Sequence, residues 1–267
     1  MDLFAHEIGH GLPVLIIHGW QMNSQVEEMD FEPIFSTTTG LRRIYVDLPG
    51  HGRTAALNIK NLDDIYARLV EFIDRRLGTE RFLLVGSSCG AYLARAIAVR
   101  YIRQVDGLLL RVPVVHPNNS FRDLDPFQPL VLANEQPVPA GLGNVLIQTP
   151  AYIDALKRKY EVYIAAERQA DNTVLDPIRV DPDRYKLNVS SLDDKVLAPT
   201  LVVCGRQDED VGYRDSLRLL EVYPRSTFVA LDRGTHGLPV DETGLFEALV
   251  KDWIARVDEW RGLGRDA

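Results

Sequence analysis

Three side chains of the types that serve together in nucleophilic catalysis follow apolar runs at distant points of this 267-residue sequence. Ser88 lies in Gly-Ser-Ser-Cys-Gly at 86–90, Asp208 follows the run 199–203, and His236 lies in Gly-Thr-His-Gly at 234–237. A serine hydroxyl is a weak nucleophile until a positioned base accepts its proton. Histidine titrates near neutral pH, and a carboxylate on its far nitrogen fixes the tautomer. If the fold brings these residues together, the chemistry they predict is acyl transfer.

The segment around Ser88 is typical of a sharp turn between a strand and a helix. Phe82–Val85 is short and apolar enough for a buried parallel strand, and Ala91–Arg100 consists mainly of strong helix formers. Glycines at both ends of G-x-S-x-G allow the close backbone approach that such a turn requires. Taken alone, the pentapeptide fits a plain glycine-rich turn equally well, in which Ser87 and Ser88 have no chemical role.

The acid and the base each have competitors. Asp208 is preferred because it lies closest to the end of its predicted strand, with Asp210 and then Glu209 as alternatives. His236 follows the last predicted strand in a small glycine-containing loop, although a structural histidine would also fit there. The five other histidines lie in an entry hairpin, in shaped loops or ahead of the acid in the chain: His6, His10, His18, His51 and His116.

The N-terminal sequence His6-Glu-Ile-Gly-His10 matches H-E-x-x-H, in which one helix face presents two zinc-binding histidines. That site needs a helix, and Gly9, Gly11 and Pro13 are poor helix residues. We therefore interpret this segment as a hairpin that leads into the strand 14–17, and predict no metal site.

Two further loops carry reactive side chains with structural explanations. His18-Gly-Trp20 follows the strand 14–17, where glycine lets the backbone offer an N–H group to a substrate oxygen, although a tight turn held by His18 also fits. Asp47 and His51 lie in a loop rich in proline and glycine, and we expect both to stabilise that loop.

Elements that would position these residues alternate between short apolar strands and amphipathic helices. This pattern predicts an α/β fold with a mainly parallel, doubly wound sheet, whose functional groups collect at the carboxyl ends of the strands. Residues 1–113 and 198–267 form the predicted core, although two small domains would also suit the length. Residues 114–197 are predicted to be a helical cap inserted after the sixth strand, with a long helix over 151–170 and a short helical piece near 185–192.

Composition narrows the range of partners. The net charge of −8 disfavours nucleic acid and anionic membranes, because it leaves no basic face. The sequence shows no basic and apolar leader and no run of roughly 18 apolar residues that could span a bilayer. We interpret Cys89 and Cys204 as reduced residues of a cytoplasmic protein. A small-molecule substrate and no cofactor are expected, and the oligomeric state is open.

Taken together and in order, these motifs resemble the α/β-hydrolase fold superfamily over nearly the whole chain. They include Gly9-x-Gly11-x-Pro13, His18-Gly-Trp20, Asp47-x-Pro-Gly-His-Gly52, the turn at Ser88, Gly205-x-x-Asp208 and the late His236. The resemblance implies a Ser88, Asp208, His236 triad, in the chain order of that family. It also implies an oxyanion hole made by the backbone N–H groups of Trp20 and Cys89. Dehalogenase and epoxide-hydrolase branches are disfavoured because they use aspartate where Ser88 stands.

The function implied is that of a serine hydrolase that cleaves a small carboxylic ester or lactone through an acyl-enzyme intermediate. One alternative is a ligand receptor or regulatory protein with the same fold and little turnover. Another is a carbon–carbon bond hydrolase, haloperoxidase or iminopeptidase that uses the same triad. Aromatic and apolar residues of the cap favour a small, partly apolar substrate, although they could equally form the core of the cap: Phe121, Phe127, Leu130, Tyr152, Tyr160 and Tyr163.

Overall fold

The computed structural model describes residues 2–132, 139, 142–189 and 192–263. Within these ranges the chain forms one seven-stranded sheet in the order β1-β3-β2-β4-β5-β6-β7. Strand β1 runs antiparallel to β3, and every other pairing is parallel. The strands are β1 (Ala5–Gly9), β2 (Leu12–Ile17), β3 (Leu41–Val46), β4 (Phe82–Ser87), β5 (Val105–Arg111), β6 (Thr200–Gly205) and β7 (Ser226–Leu231).

Seven α-helices lie within the described residues. They are α1 (Ser24–Phe35), α2 (Leu62–Arg76), α3 (Cys89–Arg100), α4 (Pro150–Gln169), α5 (Asn172–Arg179), α6 (Leu219–Val222) and α7 (Thr243–Gly262). Several begin at polar residues whose side chains accept hydrogen bonds from the first turn, such as Asn23, Asn61 and Thr149. No helix in these ranges is both long enough and apolar enough to cross a membrane.

Helices cover both faces of the sheet, as the close contacts of two glycines show. Gly107 of β5 faces Val257 and Trp253 of α7, and its register partner Leu83 in β4 therefore points to the same side. Gly86 lies three residues after Leu83, so it points to the opposite side, where it contacts Ala91 of α3. The predicted fold class, a mainly parallel sheet wound on both faces, is confirmed.

The N-terminal segment is extended, but the expected hairpin is wrong, because β3 lies between β1 and β2 and pairs with both of them. Strands β1 and β2 are separated by two residues, so the H-E-x-x-H sequence is extended instead of helical. His6 Nδ1 lies 2.9 Å from Glu28 Oε2 on α1, and His10 is exposed in the turn. The two histidines therefore do not share a helix face, as a zinc-protease motif requires.

The segment assigned to the cap leaves the sheet after β5, which is the fifth described strand and not the sixth. Among the described residues a single strand, β1, precedes β2. The number of strands before this segment is therefore one lower than predicted. Its long helix α4 lies within a residue of the predicted range. A small apolar cluster of its own holds this part of the chain together, comprising Leu142, Val145, Leu146, Ile147, Tyr152, Ile153 and Leu156.

The second helix of this segment lies elsewhere than predicted. Instead of a helical piece near 185–192, the chain forms α5 at Asn172–Arg179, with Pro177 inside it. Leu175 and Ile178 of α5 are fully buried in the main core, and this packing outweighs the hydrogen bond that Pro177 removes. Tyr185 and Leu187 are buried in the same core without helical structure.

Candidate active site

Ser88 lies in a strained turn between β4 and α3. Its backbone has φ 53° and ψ −115°, a region that non-glycine residues rarely occupy. A Cβ at Gly86 would lie 2.5 Å from the carbonyl oxygen of Gly90, and one at Gly90 would lie 2.2 Å from that of Ile17. Both positions therefore require glycine, and the glycine-rich motif is explained by close packing around a serine at the N-terminus of a helix.

The structure brings Ser88, His236 and Asp208 into one hydrogen-bonded chain. His236 Nε2 lies 3.0 Å from Ser88 Oγ, and His236 Nδ1 lies 2.9 Å from Asp208 Oδ2. A carboxylate only accepts hydrogen bonds, so Nδ1 carries the proton and Nε2 is free to accept the serine hydroxyl. These three residues follow β4, β6 and β7 at the carboxyl edge of the sheet.

The loops that carry Asp208 and His236 are held in place by backbone contacts. A Cβ at Gly205 would lie 2.3 Å from the carbonyl oxygen of Gly234, so the two loops meet only because Gly205 has no side chain. Asp208 Oδ1 accepts the backbone N–H groups of Asp210 and Val211 at 2.8 and 3.1 Å. The carboxylate is therefore fixed in orientation, with Oδ2 left for the imidazole.

The charge environment of His236 favours a base that binds a proton firmly. Burial lowers the pKa of His236, but the charge and the hydrogen bond of Asp208, with the charge of Asp210, outweigh it and raise the pKa above its ordinary value of 6.5. A raised pKa makes the imidazole a better proton acceptor.

Of the competing acids, Asp208 is the residue hydrogen-bonded to His236. It is buried, whereas Glu209 and Asp210 are exposed. Among the described residues, the acceptor atoms of Asp208, Asp210 and His236 form the one group compact enough to hold a metal ion. The hydrogen bonds already made by Asp208 and His236 explain this cluster without a metal.

The loops beside Ser88 have the structural roles expected of them. His18 Nδ1 donates to the carbonyl oxygen of Gly19 at 2.7 Å, and its Nε2 accepts the backbone N–H of Leu48 at 2.9 Å. Burial lowers the pKa of His18 to about 4, so the ring is neutral. Asp47 accepts the backbone N–H groups of Ser24 and Arg53 at 2.7 and 2.8 Å.

His51 completes this loop, with Nδ1 2.9 Å from the carbonyl oxygen of Pro49. Burial and the neighbouring His18 lower the pKa of His51 to about 3. Both rings are therefore neutral and only weakly basic near neutral pH, and their Nδ1 contacts hold the loop.

The two predicted oxyanion donors flank the serine. Gly19 lies so close that a Cβ there would be 3.3 Å from Ser88 Cβ, which places the following residue, Trp20, beside the serine. Cys89 is the first residue of α3, so its N–H has no partner within the helix. Their role in binding a reacting oxygen stays a prediction.

Ser88 and His236 open into a cavity of about 490 Å³ between the sheet edge and α4. Part of the aromatic set of the cap lines it, and Tyr152 also belongs to the apolar cluster of the cap. Both interpretations of these residues therefore hold, except for Phe121 and Leu130, which are exposed and belong to neither the lining nor the apolar cluster. The cap residues in the lining include Phe127, Tyr152, Leu156, Lys159, Tyr160, Tyr163, Ile164, Arg179 and Tyr185.

Below the cavity lies a buried group of charged and polar side chains that sequence reasoning missed. We call this group the floor network, and it consists of Glu27, Asp30, Ser87, Arg111 and Lys159. Arg111 donates to Glu27 Oε1 at 2.8 Å, to Ser87 Oγ at 2.9 Å and to Asp30. Lys159 from α4 donates to Asp30 and to the carbonyl oxygen of Gly237 at 2.6 Å. Ser87 is thus a hydrogen-bonding member of this network and not merely a small residue in the turn.

Two signals could have pointed to the floor network. Arg111 follows three consecutive leucines at the end of β5, and Lys159 lies three residues after Leu156 on the buried side of α4. A charged residue at an apolar position is buried only when it is paired. The sequence does not indicate which acids would pair with these two cations.

Comparisons with known proteins agree with this fold. Residues 14–248 match the model of the alpha/beta hydrolase family. The AB hydrolase superfamily protein YisY of Bacillus subtilis (strain 168) is 24% identical over 264 residues, covering 94% of each chain. A 2-hydroxy-6-oxononadienedioate/2-hydroxy-6-oxononatrienedioate hydrolase of Pseudomonas putida is 25% identical over 282 residues, covering 95% of this chain and 92% of that one.

Solved structures show the same fold. The crystal structure of an alpha/beta superfamily hydrolase from Oenococcus oeni PSU-1 superimposes with a TM-score of 0.81 at 25% identity, covering 97% of this chain and all of that one. An N-acyl homoserine lactone degrading enzyme and a thermophilic esterase from Thermogutta terrifontis also superimpose, at 17% and 20% identity. At these identities, the two enzymes establish the fold alone.

Proposed function

This chain belongs to the alpha/beta hydrolase family, and from that premise we propose that it is a serine hydrolase that cleaves small carboxylic esters or lactones through an acyl-enzyme intermediate. The observation that carries the proposal is the hydrogen-bonded chain from Ser88 through His236 to Asp208, whose serine and histidine line the cavity. Its geometry fits the roles of nucleophile, base and orienting acid.

The proposed reaction proceeds in two halves. His236 Nε2 accepts the proton of Ser88 Oγ as the oxygen attacks the carbonyl carbon, and Asp208 stabilises the imidazolium that forms. The backbone N–H groups of Trp20 and Cys89 would bind the oxyanion, and His236 then gives the proton to the departing alkoxide. Water attacks the acyl-enzyme in the same way and releases the acid. Loss of one oxyanion donor typically slows such reactions by about 10²–10³.

A small substrate is favoured by the size and lining of the cavity. Its volume of about 490 Å³ lies in the range of small-molecule sites, and its lining combines tyrosine rings with a few charged groups. Esterases and a lactone-degrading enzyme occur among solved structures of this fold, which is compatible with the proposal.

A carbon–carbon bond hydrolase is the second candidate. It is favoured by the similarity to the Pseudomonas putida hydrolase named for 2-hydroxy-6-oxo dioic acids, which extends over 95% of this chain. The same serine, histidine and acid would serve that reaction, so activity on such a ketone and none on esters would favour this candidate.

The proposal is tested with a panel of short-chain esters, lactones, thioesters, amides and a vinylogous 1,5-diketone acid. Each is incubated with the wild type and with Ser88→Ala, and thermal unfolding of both proteins verifies that the variant is folded. We expect multiple turnovers on at least one ester or lactone, abolished in Ser88→Ala. Full activity in the variant would overturn the assignment of Ser88. Ligand binding without turnover would favour a receptor.

A further inference from the structure

Two arginines in the lining of the cavity have no carboxylate partner among the described residues, although arginines in a protein interior are usually paired with one. Arg122 follows the 3₁₀ turn Asn119–Phe121, and Arg179 ends α5. Both are only partly exposed and line the same cavity as Ser88 and His236. The same turn joins them, because Arg179 Nη2 donates to Asn119 Oδ1 at 3.0 Å.

Neither guanidinium forms an ion pair with a carboxylate of the described residues. Arg122 donates to two backbone carbonyl oxygens, those of His116 at 3.0 Å and Asp210 at 2.7 Å. Its third nitrogen, Nη2, is buried and has no hydrogen-bond partner in the described part of the chain. Arg179 packs 4.6 Å from the centre of the Tyr185 ring. An orphaned buried guanidinium nitrogen is costly, and a ligand carboxylate would satisfy it.

The two positive charges also repel each other. Burial lowers the pKa of Arg122, and the charge of Arg179 lowers it further. Three carboxylates elsewhere in the lining belong to the exposed residues Glu167, Glu209 and Asp210. Water screens exposed charges, so they compensate the arginines only weakly. The fourth, Glu27, is committed to Arg111 in the floor network.

The pair lies near the reacting centre. Both guanidinium charges act on the thiol of Cys89, the residue that follows Ser88 in the chain, and they oppose the rise of its pKa that burial causes. Arg179 stacks on Tyr185, whose ring packs 5.1 Å from that of Trp20 beside the serine. Ser88 and both arginines therefore line one continuous cavity, in which a single ligand can contact them together.

We propose that Arg122 and Arg179 form a carboxylate-binding subsite, so that the preferred ester or lactone carries an additional ionised carboxylate. This inference rests on the proposed hydrolase function and specifies its substrate class. Two planar forks of N–H donors suit a carboxylate better than any neutral group, because guanidinium and carboxylate bind through paired hydrogen bonds.

The test compares esters that differ only in this charge. Monoethyl glutarate is matched with ethyl valerate, which places the charge on the acyl part. The second pair, 4-acetoxybenzoate and its methyl ester, places it on the leaving group. The value of kcat/KM for each is measured by proton release, and the ratio of the anionic to the neutral ester is the readout.

The variants are Arg122→Met, Arg179→Met and the double variant, with Arg168→Met as control. Arg168 is exposed on α4 outside the lining, so its replacement makes the same change in net charge. We expect the double variant to lower the ratio for at least one pair about 10- to 100-fold, with single variants in between and the control unchanged. A ratio that is the same in the wild type and the double variant, with neutral esters still hydrolysed, would overturn the subsite.

Failure of the proposed function gives a different result. In that case the wild type hydrolyses no ester, and binding replaces turnover as the readout. Calorimetry with glutarate then tests the arginines directly, since binding to the wild type that disappears in the double variant supports the subsite. Absence of glutarate binding to an inactive wild type would overturn both proposals.

Discussion

Positive side chains around the cavity fall into two sets that differ in their partners. In the floor network Arg111 and Lys159 are neutralised by Glu27 and Asp30. On the other side Arg122 and Arg179 have only backbone, amide and ring contacts among the described residues. The pKa of Arg111 shows the difference: burial lowers it, but Glu27 and Asp30 outweigh burial and raise it, whereas that of Arg122 is lowered.

This contrast separates cations that hold the protein together from cations available to a ligand. The floor network joins α1, the ends of β4 and β5, the cap helix α4 and the loop after His236. Removing one member leaves a buried charge unpaired, which is costly. Removing Arg122 or Arg179 leaves no carboxylate of the described residues without its partner, so the expected effect is on substrate selection. The following predictions test this division in order of decreasing effect.

The largest effect on activity is expected for replacement of Asp208, the carboxylate that pairs with the His236 imidazolium formed during the reaction. Asp208→Asn should lower kcat by about 10⁴, because the imidazolium loses its stabilising charge and its tautomer is no longer fixed. Since Asp208 raises the pKa of His236, the wild-type rate should rise with pH through a midpoint above 6.5, and the variant's midpoint should fall. Profiles of kcat/KM against pH measure both, and coincident midpoints would contradict the assignment.

Arg111→Met should cause the largest loss of stability. It leaves Glu27 and Asp30 buried without their guanidinium, at a cost of about 3–5 kcal/mol in the free energy of unfolding. Chemical denaturation followed by circular dichroism measures the change. Arg122→Met is the matched control. An equal loss of stability in both variants would contradict the distinction between the floor-network cations and the arginine pair.

Lys159→Met should have a smaller effect on stability. Asp30 keeps its bond to Arg111, but the carbonyl oxygens of Gly237 and Leu238 lose a donor. We expect a loss of about 1–3 kcal/mol by the same denaturation measurement. A variant as stable as the wild type would show that the cap and the loop after His236 do not depend on this contact.

The smallest change in stability is expected for Arg179→Met. It gives up one exposed hydrogen bond and a contact with the Tyr185 ring, together about 1 kcal/mol or less. Glutarate should raise the melting temperature of the wild type more than that of this variant, since a ligand stabilises the state it binds. Equal shifts would assign glutarate binding to another part of the molecule.

Several features could be predicted because they depend on neighbouring residues. The turn at Ser88 follows from an apolar strand, two glycines and a run of helix formers within twenty residues. The loop roles of His18, Asp47 and His51 are equally local, and the structure confirms them, whereas the predicted entry hairpin is wrong because the distant strand β3 inserts between β1 and β2. Predictions were wrong where packing decided the outcome, as at α5, where burial of Leu175 outweighs the proline.

The amino-acid sequence by itself determined the sheet, the order of its elements and the three loops that carry serine, acid and histidine. Those depend on periodicity, glycine placement and the rule that parallel strands end at one edge. Only the tertiary structure decided that Asp208 and not Asp210 bonds to His236, that Arg111 pairs with acids from α1, and that Arg122 pairs with no acid in the described part of the chain. The physical reason is that pairing of buried charges depends on distances of a few ångströms between elements remote in the chain, which residue types and spacing do not specify.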